Sequence, residues 1–159
     1  MKIFAALFAL VAITNATPAG IIERDPGTLE KRDTEIVYLA NCVSAVSCCT
    51  PNVYYSQIIY YPASAQSQNG EVPSSSNRCT TSSSSYTTWE GSAHPCTFST
   101  GATFTSHIDS GSHAAYSYSG WGYNGKTWNC YRDNGRVLFD PYMPEASNSC
   151  SSVYYCLPA

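Results

Sequence analysis

The chain has 159 residues, with 8 Lys and Arg against 11 Asp and Glu for a net charge of −3, and it holds 8 Cys. That length suits one domain. The acidic balance excludes the clustered Lys and Arg that grip phosphate backbones or anionic lipid, so neither nucleic acid nor a charged membrane surface is an expected partner.

Met1-Lys2 gives a positive start, Ile3 to Ile13 is an unbroken apolar run, and Thr14-Asn15-Ala16 supplies small residues. This pattern predicts a cleaved secretory signal over residues 1–16, because the run falls short of the ~20 apolar residues that span a bilayer. No membrane span is expected further on. Residues 17–32 (TPAGIIERDPGTLEKR) turn to Pro, Gly and charge with no apolar period, and end in Lys31-Arg32. A dibasic pair on an exposed segment fits extended into the acidic cleft of a kexin-type protease, so a pro-segment cut after Arg32 is expected. The remaining domain, residues 33–159, carries four Lys and Arg and eight Asp and Glu, a net −4.

Strand signals dominate that domain. Glu35 to Val43 (EIVYLANCV) and Asn52 to Pro62 (NVYYSQIIYYP) are rich in β-branched and aromatic residues. Ala63 to Thr88 is Ser- and Thr-rich and reads as a loop or exposed edge pinned by Cys79, of the composition that O-glycosylation also uses. Cys96 to Ile108 alternates around Phe98 and Phe104, with Gly101 as its turn. Ser119 to Phe139 contains two Asn-Gly pairs. If each is a two-residue hairpin turn, Trp121 faces Trp128 and Cys130 faces Phe139 in a three-stranded meander. One face then carries Trp121, Tyr123, Trp128, Cys130, Val137 and Phe139, and reads as core. The other carries Tyr118, Tyr131 and Leu138. CSSVYYCL closes the chain as a short strand, with Cys150 and Cys156 on one face because their separation is even. No stretch has a helical period of useful length. The expected fold is all-β: a small disulfide-stapled antiparallel β-sandwich or barrel, with two packed sheets as the simplest arrangement.

Cys42, Cys48, Cys49, Cys79, Cys96, Cys130, Cys150 and Cys156 all follow the dibasic site, and an even count in an exported chain reads as a disulfide framework. Eight cysteines allow 105 pairings, so connectivity stays open. Neighbouring side chains on extended backbone diverge, so Cys48 and Cys49 are expected to staple two different partners. With no Cys-x-x-Cys pair, and no paired ligand spacing among His94, His107 and His113, no metal or other cofactor is expected.

Catalytic ingredients are scattered. His107-Ile108-Asp109 with Ser106, Ser110 and Ser112 has the residue types of a hydrolase, but adjacent strand residues diverge and there is no Gly-x-Ser-x-Gly elbow. Glu90, His94, Arg132 and Arg136 are the acid, base and cations that a small ribonuclease needs. The chain resembles the microbial guanyl-specific ribonucleases in size and secretion only. Every His here precedes Arg132, unlike their order, and no catalytic residue is carried over.

Leader, short pro-segment ending in Lys31-Arg32, and a Cys- and Tyr-rich domain together resemble the small secreted cysteine-rich proteins of filamentous fungi, including effector candidates and killer-toxin-like proteins. The resemblance implies a secreted, extracellular, monomeric protein that binds a host or competitor target, a protein or a cell-wall glycan, without turnover. The surface to look for such contacts is Tyr54, Tyr55, Tyr60, Tyr61, Tyr116 and Tyr118. The alternatives are a chitin- or glucan-binding module stacking sugars on Trp89, Trp121 or Trp128, and a small hydrolase or ribonuclease.

Overall fold

Ile36-Val37-Tyr38-Leu39-Ala40 is apolar at every position rather than at alternate ones, which demands a strand covered on both faces. The computed structural model, which describes residues 34–46, 51–143 and 146–159, shows how this is met. The strands are β1 (Ile36–Val46), β2 (Val53–Tyr61), β3 (Arg78–Ser82), β4 (Ala93–Thr97), β5 (Thr103–Ile108), β6 (Tyr118–Tyr123), β7 (Thr127–Arg132), β8 (Val137–Phe139), β9 (Tyr142–Met143) and β10 (Ala146–Pro158). A five-residue helix, α1 (Ser64–Gln68), and a 3-10 turn (Ser75–Asn77) interrupt the Ser-rich tract that the sequence leaves as loop.

The strands form one antiparallel sheet in the order β3-β2-β1-β10-β7-β6-β5-β4, and β8 and β9 also pair with β10. Two packed sheets are therefore replaced by a single sheet curled into a nearly closed barrel. Its two ends, β3 and β4, are joined by the Cys79–Cys96 disulfide with Cα atoms 5.9 Å apart, so the bond closes the seam and blunts both edges.

Val37, Leu39, Ile58, Phe104, Trp128 and Tyr154 fill the barrel. The opposite side of β1 and β2, with Ile36, Tyr38, Ala40, Ile59 and Tyr61, is buried against Leu138 and Phe139 of β8. Tyr38 reaches α1 through a hydrogen bond to Ser67. Cys42–Cys150 and Cys130–Cys156 each join residues directly opposite in register, with Cα atoms 4.0 Å apart. Cys48, Cys49, residues 1–16 expected as a secretory signal, and Lys31-Arg32 lie outside the described residues.

Three expectations on registry are corrected. Leu39 pairs with Tyr154 but Ala40 pairs with Ser152, so Val153 is an extra residue, a bulge that turns the strand over. Cys156 therefore belongs to the barrel interior and Cys150 to the outer cluster, despite their even spacing. At Asn124-Gly125 the loop takes in Lys126 as well, since Tyr123 pairs with Thr127. That one-residue change puts Trp128 opposite Gly122 and Trp121 opposite Asn129, so the two Trp side chains face opposite ways. Finally, β8 pairs with β10 rather than β7, so the three-stranded meander does not form.

Candidate functional site

Residues directly opposite in an antiparallel ladder point to the same side, so the register fixes what the barrel shows to solvent. Between β5 and β7 the outward set is Thr105, His107, Tyr118, Trp121, Tyr123 and Asn129. Tyr131 pairs with Tyr118 and, on its other side, with Tyr155 of β10. The inward set of the same strands is Phe104, Ser106, Gly122, Trp128 and Cys130, all buried.

Gly122 makes this division work. A Cβ there would meet the Phe104 ring at 2.3 Å, the space that Phe104 and Trp128 need for their edge-to-face packing at 5.8 Å. Trp128, fully buried, donates its indole N–H to Asn124 Oδ1 at 2.7 Å.

Outside, the aromatics are ordered against one another. Trp121, 41% exposed, stacks on His107 with ring centroids 3.9 Å apart and planes 14° from parallel. Tyr131 stacks on Tyr155 at 5.5 Å and meets the edge of Tyr118 at 5.9 Å. Tyr123 and Tyr118 are exposed. An open hollow of about 340 Å3 beside Trp121 is lined by Ser92, His107, Asp109 and Ser110. The ordered rings hold one face fixed while the other meets solvent, with hydroxyl and amide groups of Thr105, Thr127 and Asn129 between them.

The six tyrosines singled out from the sequence do not form one surface. Tyr54 is exposed beside Tyr86 at 5.4 Å, and Tyr55 is half-buried against the outer cluster. Tyr60 packs partly on the barrel core, with its hydroxyl donating to Glu35. Tyr61 is only 1% exposed and gives its hydroxyl to the Glu71 carbonyl at 2.9 Å, so it is core and not contact surface. Consecutive Tyr residues on a strand point to opposite faces, which is why Tyr54-Tyr55 and Tyr60-Tyr61 divide. Tyr116 and Tyr118 do lie with the aromatic row. Of the three Trp, Trp89 and Trp128 are buried and only Trp121 offers a ring to solvent.

The catalytic ingredients are also placed. Ser106 points into the barrel and His107 away from it, so they cannot act on one substrate atom. Glu90 accepts the Tyr154 hydroxyl, and Arg132 lies 3.8 Å from the same carboxylate. Burial, and then the bond to Glu90, push the Tyr154 phenol up to about 12, so it remains a donor that holds the carboxylate. His113 meets the Tyr154 ring edge-on and hydrogen-bonds the Asp109 carbonyl. His94 packs on Trp89 instead, and Arg136 is engaged with Asp133, Ser67 and Tyr38. The sequence places Tyr123 with Trp121 on a core face and Tyr131 with Tyr118 on the opposite one, and leaves Tyr155 out. Only the register brings all five to one outer surface.

Among known proteins, no family model, no curated protein and no solved structure matches this chain. No helix among the described residues is long and apolar enough to cross a membrane.

Proposed function

We propose that the protein is exported, trimmed after Arg32, and acts as a non-catalytic binding protein whose ligand is a neutral polysaccharide of a host or competitor cell wall. An effector- or toxin-like role would be exercised through that wall. The observation that carries the reading is the outward face of β5–β7, where Trp121, Tyr123, Tyr118 and Tyr131 alternate with Thr105, His107, Thr127 and Asn129 and no outward strand position holds Lys, Arg, Asp or Glu, Asp109 and Lys126 lying in the flanking loops. A pyranose offers an apolar C–H face for such rings and hydroxyl edges for such side chains, and carries no charge to match. The three disulfides among the described residues fit an oxidising, extracellular setting.

Depletion of the protein from solution by chitin, β-glucan and cellulose tests this directly. At least one of these should retain the protein, and Trp121→Ala with Tyr123→Ala should lower retention at least tenfold without changing the circular dichroism. Retention by none of the three, or retention indifferent to both substitutions, contradicts the reading.

A further inference from the structure

The aromatic row leads to a built cavity. Tyr155, which stacks on Tyr131, also lines a cavity of about 250 Å3 together with Tyr38, Tyr116, Gln68, Asp133 and Arg136. This is smaller than the ~300–1,000 Å3 clefts that take drug-sized ligands and suits a single ring.

Its polar groups are arranged unequally. The Asp133 side chain is 4% exposed. Oδ1 accepts the Asn134 N–H at 2.8 Å, whereas the buried Oδ2 accepts no hydrogen bond among the described residues, and the nearest cation, Arg136 Nε, is 3.5 Å away. Arg136 has its other nitrogens committed, Nη1 to the Ser67 carbonyl at 3.2 Å and Nη2 to the Tyr38 hydroxyl. The cavity thus balances its charge internally and leaves one strong acceptor unfilled, which is costly unless a donor arrives.

Tyr116 adds an independent sign. Its φ is 65°, the left-handed region that a bulky side chain avoids, and among described non-Gly residues it is alone there. In this conformation its N–H donates to the Arg132 carbonyl at 2.8 Å, and its hydroxyl accepts from Asn134 Nδ2 at 2.7 Å. Strain of this kind persists where a side chain has to be aimed, and this ring forms a wall of the cavity.

We infer that this cavity is a subsite for one neutral sugar ring, with a ring hydroxyl donating to Asp133 Oδ2 and the C–H face lying against Tyr116 and Tyr155. The inference rests on the polysaccharide reading and deepens it: a chain lying along Tyr118 and Tyr131 would place its terminal residue here. A cationic ligand is disfavoured by Arg136, and an anionic one by Asp133.

Site-resolved NMR of the oxidised protein, titrated with methyl glucoside, methyl N-acetylglucosaminide and their soluble oligosaccharides, tests it. One of these sugars should shift the resonances of Tyr116, Asp133 and Tyr155. Asp133→Asn replaces the open acceptor by a donor and should weaken that sugar about tenfold. In case Asp133→Asn unfolds by stranding Arg136, Tyr116→Gly removes the ring while relieving the positive φ, and should weaken the sugar at least tenfold while raising the melting temperature. Shifts confined to the Trp121 face, no shifts with any sugar, or full affinity in Tyr116→Gly overturn the subsite. Polysaccharide retention without cavity shifts removes the subsite alone. Cavity shifts without retention by any polysaccharide support it and remove the face reading instead.

Discussion

The barrel has two unlike halves. Around β1, β2 and β10 the sheet is covered on both sides, by the barrel interior on one and by β8 with α1 on the other, and Cys42–Cys150 is set into the outer layer. Around β5, β6 and β7 only the inner side is covered, and the outer side shows ordered aromatic rings. The contrast teaches how a domain of this size can expose Trp and Tyr: the doubly covered half and the disulfides supply the stability, so the other half's outer face need not be buried.

The largest effect should come from breaking the covered half. Replacing Cys42 and Cys150 together by Ala removes a link across 108 residues, and the chain-entropy model puts the loss near ~4–5 kcal/mol. The same change at Cys79 and Cys96, which span 17 residues, should cost about 3 kcal/mol and also open the barrel seam. Urea unfolding with amide hydrogen exchange would rank the two. A larger loss at Cys79–Cys96 would mean that seam closure outweighs chain entropy.

The two faces of the bare half can be set against each other with one residue type. Trp128→Ala empties a fully buried position and should cost about 3–5 kcal/mol. Trp121→Ala, on the outside, should change stability by no more than about 0.5 kcal/mol while removing ligand retention. Equal destabilisation by the two would show that Trp121 is structural.

The smallest effect sharpens the comparison through pH. Burial raises the phenol pKa of Tyr38, Tyr61 and Tyr154, the last to about 12 from an ordinary 10.0. Between these values the unfolded chain holds fewer protons than the folded one, so stability falls as pH rises. The contribution should be complete below about pH 10 and disappear towards about pH 12. Absorbance of ionised tyrosine should show Tyr38, Tyr61 and Tyr154 losing their protons only above the ordinary phenol value. Ionisation of these three at the ordinary value would contradict their place in the core.

How much of this was legible in the sequence follows from what a period of two can say. Alternation and turn residues located β1, β2 and the Gly101 hairpin, and an even cysteine count after a leader-like segment announced disulfides. Alternation does not state which strands pair, or in which register. The third residue of the Asn124 loop and the bulge at Val153 each displace the pattern by one, and each turns a strand's residues to the opposite side. Trp121 and Trp128 were thereby read as one face although they belong to two. The row from Trp121 to Tyr155 crosses three strands, and the Asp133 cavity depends on β8 leaving β7 for β10, so both were hidden until the pairing was known.

The central claim, that Trp121 and its neighbours meet a neutral polysaccharide, is tested most directly by acrylamide quenching of tryptophan emission with and without the polysaccharide that retains the protein. Trp89 and Trp128 are shielded by the fold, so the quenchable emission of the free protein should belong to Trp121, and bound ligand should protect it. Unchanged quenching at saturating polysaccharide would contradict the account.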